Sequence, residues 1–377
     1  MMNTAILERQ AASGGIARRS ALILAALAAV AALALFGGAR YGFMLVIGLG
    51  FGIALEGLRF GFAGPWRAMI VRREPAGILA QLLAIALVSI VAIPAISSHP
   101  GELTGAQAPI GFAMVGGAFV FGAAMQVVMG CGSGTLVNAG SGNPIGLLAL
   151  PFFAIGSFFG AYGLIWWTNL GALPILTLRG TSGLTVTLVL LGLVAATVFF
   201  LGKRGSRSLP RRYVIAALVL AALAIANLLV AGQPWGVVYG LGLWVAKGVN
   251  GMGFDLTQSA FYAAPGSITR VQESLLTDYT SLTDIGLIAG AFGVAAWRQG
   301  GLSQKLPSYP ARAWAATIIA GFLLGYSSRL AFGCNVGAFF SGISTGSLHG
   351  WVWFAAAFAG AYLGIWLRPR LGLEARA

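Results

Sequence analysis

The sequence predicts an all-α polytopic membrane protein: an internally duplicated helical bundle of about 9–11 membrane segments, with short broken or re-entrant helices carrying Gly-Cys-x-x-Gly. Three observations carry this reading. Of 377 residues, 58% are hydrophobic and 8% charged, with a mean hydropathy of +0.87, against roughly 25% charged in soluble domains. Apolar runs of about 20 residues, enough to cross about 30 Å of hydrocarbon, recur along the chain. Glycine-rich motifs then return in its second half. A soluble core could not hide this much apolar surface, so soluble enzymes, nucleic-acid binders and disordered chains are excluded, and lipid is the expected partner.

The elements follow in order. Arg9, Arg18 and Arg19 precede an uncharged run, Ala21–Gly38. Further apolar segments follow it directly, so it is expected to be a first transmembrane helix and not a cleaved signal peptide. Gly77–Ile96, Ile110–Met129, Ile145–Trp167, Leu184–Leu201, Tyr213–Val230, Ala313–Ser328 and Gly350–Leu367 are each long enough to span. Tyr279–Trp297 is weaker because Asp284 interrupts it. Tyr41–Leu55 and Trp235–Ala246 are short and glycine-laced.

Charge sets the expected orientation. The net charge of +14 comes from 23 Lys+Arg against 9 Asp+Glu. Most of the basic residues fall in short loops, where they orient a chain in the bilayer. Arg59, Arg67, Arg72 and Arg73 mark one such loop; Lys203, Arg204, Arg207, Arg211 and Arg212 mark another. Both loops and the N-terminus are expected to be cytoplasmic, and Ser97–Pro109, which lacks Lys and Arg, periplasmic. Arg298, Lys305 and Arg312 then fall where an uninterrupted count puts the outside, so either one segment is re-entrant or the count is off by one.

Repetition gives the domain organisation. Gly48-Leu49-Gly50, Ala54, Gly61 and Phe62 match Gly240-Leu241-Gly242, Ala246, Gly253 and Phe254 at one constant offset. Gly122, Gly130-Cys131 and Gly134 match Gly325, Gly333-Cys334 and Gly337 at an offset about eleven residues larger. The expected parts are residues 1–37 (extension and first helix), 38–200 (first half), 201–230 (basic linker and connecting helix) and 231–377 (second half). Transporters are often built from such duplications, with the solute bound near the bilayer midplane between the repeats. Glycine also simply lets membrane helices approach closely, but both cysteines falling in register is harder to assign to packing.

The two cysteines are too few for a disulfide framework. Each sits in a polar, glycine-dense break between apolar helices, where a short helix is expected to restart. Unpaired N–H groups at such a start attract anions. Cys131, Cys334 and their neighbours Gly130, Gly132, Gly333 and Asn335 are therefore candidate solute contacts. Asn138 and Ser341 correspond across the repeat as polar wall residues. Arg329 and Gln126 hold matching places before the two cysteines, and Arg59 and Lys247 lie near the ends of the short segments; each could supply a cation or hydrogen bond, or merely set topology. Glu56 and Asp255 could brace cations, and Trp166, Trp167, Trp351 and Trp353 are expected in interfacial belts. With His99 and His349 the only histidines, no metal site or other cofactor is expected.

Gly130-Cys131-Gly132-Ser133-Gly134, Gly333-Cys334-Asn335-Val336-Gly337 and Arg59-Phe60-Gly61-Phe62-Ala63-Gly64 make the chain resemble the YeeE/YedE family of bacterial inner-membrane sulfur-transport proteins, from about Tyr41 to Leu367. The resemblance implies passage of thiosulfate or a related sulfur anion through a cysteine-lined constriction, with Cys131 and Cys334 on two functional cysteines. It also implies a separate cytoplasmic TusA-like sulfur carrier as partner. Family members often carry a third cysteine in an Arg-x-Cys element; here Gly61 takes that place. The other readings of the residues are a thiol redox or persulfide-transfer protein using the two cysteines as a reactive pair, and a structural subunit of a larger membrane complex that needs no cysteine chemistry.

Overall fold

Within hydrocarbon each backbone N–H must find its acceptor inside its own segment. The computed structural model, which describes residues 2–299 and 309–374, meets that demand with helices. In chain order these are α1 (Met2–Phe36), α2 (Ala39–Gly57), α3 (Ala63–Arg72), α4 (Ala76–Ser98), α5 (Phe112–Val128), α6 (Gly132–Gly140), α7 (Pro144–Tyr162) and α8 (Leu164–Thr168). After α9 (Gly180–Leu201) and α10 (Arg211–Ala231) come α11 (Val238–Gly251), α12 (Ala260–Ala263), α13 (Pro265–Gln272) and α14 (Tyr279–Gln299). The chain ends through α15 (Ala311–Leu330), a π-helical turn (Asn335–Phe340), α16 (Ser341–Ser344) and α17 (His349–Arg370). Ten helices among the described residues are long and apolar enough to cross a membrane, as the composition predicts.

Contacts between loops define two faces. The Lys203 N–H donates to the Arg73 carbonyl (2.8 Å), Arg298 at the end of α14 donates to the Gly57 carbonyl at the end of α2, and Arg67 and Arg368 share Glu374. These gather the arginine-rich connections on one face, here the basic face. On the opposite, far face, the Thr104 N–H meets the Gly232 carbonyl (2.8 Å), Gly111 pairs with Ala172, and Thr177 pairs with Ser347.

The ambiguous last third is explained by one re-entrant segment. From Gly232 on the far face the chain dips into the bundle, where the Trp235 ring stacks on Phe51 of α2 (3.8 Å between centroids) and Ser157 of α7 donates to the Val238 carbonyl (2.9 Å). Helix α11 then climbs back: Trp244 donates to Ser281, and Lys247 donates to the carbonyls of Arg270 and Val271 beside the start of α14. Because α11 returns to the side it left, α14 runs from the far face to the basic face. Arg298 therefore lies on the basic face, and so does Arg312 beside Gly372 at the end of α17. Lys305 lies outside the described residues.

The two Gly-Cys segments run in opposite senses. Helix α5 leaves the far face at Gly111 and ends where the Gln126 side chain reaches the Ala63 carbonyl near the basic face. Helix α15 starts on the basic face and leads to residues 346–348, paired with Leu176 and Leu178 of the far-face loop. As a result α5 packs parallel to α17, and α7 parallel to α15. A Cβ on Gly122 would collide with the Ala357 carbonyl, and one on Gly325 with the Phe153 carbonyl. Glycine is required at this matching pair because helix backbones touch there.

Three expectations need correcting. Tyr41–Leu55, glycine-laced as it is, is not short: α2 runs unbroken for 19 residues, whereas Trp235–Ala246 belongs to the re-entrant segment. The run Ile145–Trp167 breaks at Gly163 into α7 and α8. Trp353 is not interfacial; it is fully buried, packed on Phe121 and Trp66, because α17 turns that side toward α3 and α5.

Candidate functional site

The first cysteine segment is built as a capped half-helix. Cys131 is the N-cap residue of α6: its sulfur accepts the Gly134 N–H at 3.4 Å and lies 3.4 Å from the Ser133 hydroxyl. Its carbonyl takes the Thr135 N–H and hydroxyl. Sulfur thus stands where Ser or Asp would normally cap. The second segment differs. Gly333, at φ +150°, swings the chain out of α15 in a conformation that favours glycine, and after Cys334 the backbone opens into the π-helical turn. Such turns recur at functional positions.

These two segments meet. Cys131 and Cys334 are both fully buried free thiols, and a Cβ placed on Gly132 would stand 2.6 Å from the Cys334 sulfur and 3.5 Å from Val237 at the tip of the re-entrant segment. One thiol of the second half therefore lies directly on the residue after the thiol of the first. Beside them, the Asn335 side chain is fully buried, and neither its amide nitrogen nor its oxygen has a hydrogen-bond partner among the described residues. An orphaned buried amide costs about 1–3 kcal/mol, so it marks a place where a polar guest would be welcome. Ser341 is instead satisfied, donating to the Trp235 carbonyl at 2.7 Å and tying the turn to the re-entrant tip.

A cavity of about 330 Å³ leads to Cys334, roughly ten water volumes. Its walls include exposed Gln107 in the far-face loop, Tyr239, Phe261, Arg329 and Gly333. Arg329 is the cation of this chamber. Its guanidinium lies 4.9 Å from the Phe261 ring centroid and 5.6 Å from that of Tyr239, and its Nε is buried with no partner among the described residues. A guanidinium held by aromatic faces keeps its positive charge available to an anion. Toward the basic face the way is shut by aromatic rings: Phe62 packs edge-on against Phe339 and Phe340 (6.5 and 6.3 Å), and Phe340 against Trp235 (5.9 Å). The arrangement is a chamber open toward the far face that ends at Cys334, with aromatic rings packed beyond it.

Not every predicted residue joins it. Gln126, fully buried, donates to the Ala63 carbonyl (3.0 Å) and braces α5 on α3. Arg59 is exposed near the basic face at φ +49°. Lys247 is used at the far face, where it ties α11 to the end of α13. Asn138 donates to the Met129 carbonyl, and the Gly130 N–H reaches the Met125 carbonyl, so both shape the break before α6. Glu56 does brace a cation, Arg298, at 3.8 Å. Asp255 does not: it receives the hydroxyl and N–H of Thr257, which hold its carboxyl below the usual range. Sequence reasoning missed Tyr239, Phe261 and Trp235, because aromatic residues in apolar runs carry no sign of whether they face lipid, core or chamber.

Comparison with known proteins gives the family. The "Sulphur transport" family model matches residues 58–363. The thiosulfate transporter TsuA of Spirochaeta thermophila is 26% identical over 338 residues, covering 82% of this chain and 93% of that protein. The probable transporter YedE of Escherichia coli is 29% identical over 135 residues, covering 36% of this chain and 32% of that protein, and its Salmonella typhimurium counterpart 28% over 155 residues, covering 41% and 36%. With both Gly-Cys segments inside the matched region, the chain belongs to the sulphur-transport family.

Proposed function

We propose that the chain is a bacterial inner-membrane permease for thiosulfate or a closely related sulfur-containing anion. The observation that carries this reading is the Cys334 thiol, which forms the inner end of the Arg329-lined chamber while packing on Gly132, next to Cys131. An anion entering from the far face meets Arg329 first, then Cys334, Asn335 and Cys131. Thiols donate weak hydrogen bonds and cost little to desolvate, so a soft terminal sulfur can be passed from one S–H to the next without being held. Both thiols stay intact through the cycle. The opposed senses of the two cysteine segments support an inverted repeat, residues 38–200 against 231–377, of the kind that permits alternating access. The arginine-rich loops support a cytoplasmic basic face with the N-terminus on it. A TusA-like carrier would dock there to take the delivered sulfur.

A divalent anion moving inward crosses the membrane potential unfavourably, by about 2.3 kcal/mol per charge for each 100 mV, so net uptake needs a sink or a coupled cation. The test is uptake by proteoliposomes of thiosulfate, sulfite, sulfate and selenium analogues in one preparation. Thiosulfate-selective flux, lost in both Cys131→Ala and Cys334→Ala, supports the reading; flux that ignores both substitutions removes it.

A further inference from the structure

Asp284 of α14 takes no part in the passage described above. It is fully buried within a membrane-spanning helix, and neither carboxylate oxygen has a hydrogen-bond partner among the described residues. Intramembrane carboxylates are rare and mark proton or ion pathways. Its surroundings point to the proton. Asp278, Ser281 and Asp284 recur every third residue from the far-face start of α14, on one side of the helix. Asp278 accepts the Ser281 N–H (2.7 Å) and lies 3.7 Å from Arg270, and Ser281 accepts from Trp244. These three polar residues lie in order inward from the far face, Asp278 joined to Ser281 through its backbone N–H, and the row ends at the unpartnered carboxyl of Asp284.

Its end lies against the re-entrant helix. A Cβ on Gly240 would meet an Asp284 oxygen at 2.7 Å, and Gly236 to Tyr239, just before it, wall the chamber that ends at Cys334. Asp284 therefore packs against the element that forms the chamber wall. Other ionisable groups on the packed elements are engaged elsewhere. On α2, Arg40 covers Tyr279 beside Tyr41 at the far end, and Glu56 faces Arg298 at the basic end. On α11 and α13, Tyr239 faces Arg329, Lys247 holds backbone carbonyls, and Arg270 faces Asp278. Glu273 is exposed, Arg19 of α1 covers Trp297, Cys131 caps α6, and Arg18, next to Arg19, keeps a buried Nε without a partner among the described residues. Asp278, which directly precedes α14, is the acidic residue nearest to Asp284 along the chain.

We infer that Asp284 binds the proton that couples anion import to the proton gradient. The inference rests on the permease reading. A proton from far-face water joins the Asp284 carboxylate and leaves to water on the basic face once the anion has passed. No bond to the anion forms and nothing is oxidised or reduced. Each proton carried offsets one negative charge of the anion.

The full chain, reconstituted with a trapped pH-sensitive dye, tests this by measuring protons and labelled thiosulfate together. The wild type should import protons with thiosulfate, faster when the far-face solution is acidic. In Asp284→Asn the ratio of protons to thiosulfate should fall about tenfold or more, as expected if the one proton-binding carboxyl is lost, and Asp284→Glu should restore the ratio with a displaced pH profile. Thiosulfate flux without proton flux in the wild type, or an undiminished ratio in Asp284→Asn, overturns the coupling and leaves the permease reading standing. Absence of any thiosulfate flux in the wild type overturns both.

Discussion

The sulfur of Cys334 lies 2.6 Å from where a Cβ on Gly132 would sit, so the two halves of the molecule touch, thiol to glycine, with no room for a methyl group. Gly132→Ala must displace that thiol or the half-helix carrying it. Overpacking of this kind costs about 1–3 kcal/mol, which a thermal unfolding scan in detergent would read as a lowered midpoint. Thiosulfate uptake should fall further than stability does, by about tenfold or more, since a displacement of about 1 Å is enough to spoil positioning. Wild-type uptake by a stable Gly132→Ala protein would separate this contact from the passage.

Cys131 does two jobs that substitution can separate. Its sulfur caps α6 through the Gly134 N–H, and a serine hydroxyl can do the same, whereas alanine cannot. Cys131→Ser should hold stability within about 0.5 kcal/mol, while Cys131→Ala loses about 1 kcal/mol with the cap. Both should lose thiosulfate flux alike. If Cys131→Ser transports normally, the residue serves as a cap and not as a relay.

Arg329 is the chamber's cation, and its effect should appear in affinity. Arg329→Gln should raise the KM for thiosulfate by about tenfold or more, the equivalent of about 1.4 kcal/mol of lost attraction, with a smaller change in the maximal rate. Arg329→Lys should recover only part of it, because an ammonium does not stack on Phe261 and Tyr239 as a planar guanidinium does. Uptake measured across thiosulfate concentrations distinguishes the two parameters, and an unchanged KM in Arg329→Gln would remove the residue from the anion's route.

Much of this was legible in the residues. The membrane spans follow from apolar length, and Cys131 and Cys334 stood out because the same glycines flank both. Arg329 was only one of four polar candidates near the breaks, with Gln126, Arg59 and Lys247, and its packing on Phe261 and Tyr239 is what sets it apart. The re-entrant α11 showed only indirectly, as arginines on the wrong side of a simple count. Asp284 read merely as a blemish in a span, since sequence says nothing of whether a buried acid finds a partner. Trp353 and Trp235 were misplaced or overlooked for a related reason: an indole suits an interface, a core or a plug equally well, and only the packing of α17 on α3 and α5, or of the re-entrant tip on Phe51, decides which.

Gly61 occupies the place where members of the resembled family often carry a third cysteine, and the structure leaves room for one. A Cβ there meets no atom within 4 Å, its φ is not positive, and its carbonyl accepts the Gln81 side chain at 2.9 Å, a bond that any residue can make. The next residue, Phe62, belongs to the aromatic plug on Phe339 and Phe340, so a thiol introduced at this position would stand on the basic-face side of that plug. Gly61→Cys should therefore fold with stability changed by less than about 0.5 kcal/mol. A membrane-impermeant maleimide should label the introduced thiol from the basic face in the resting protein, sooner than Cys131 or Cys334 beyond the plug. Labelling in right-side-out and inverted vesicles reads both the position and the orientation of the chain. Reaction of the introduced thiol from the far face alone would show that the plug does not divide the passage as described.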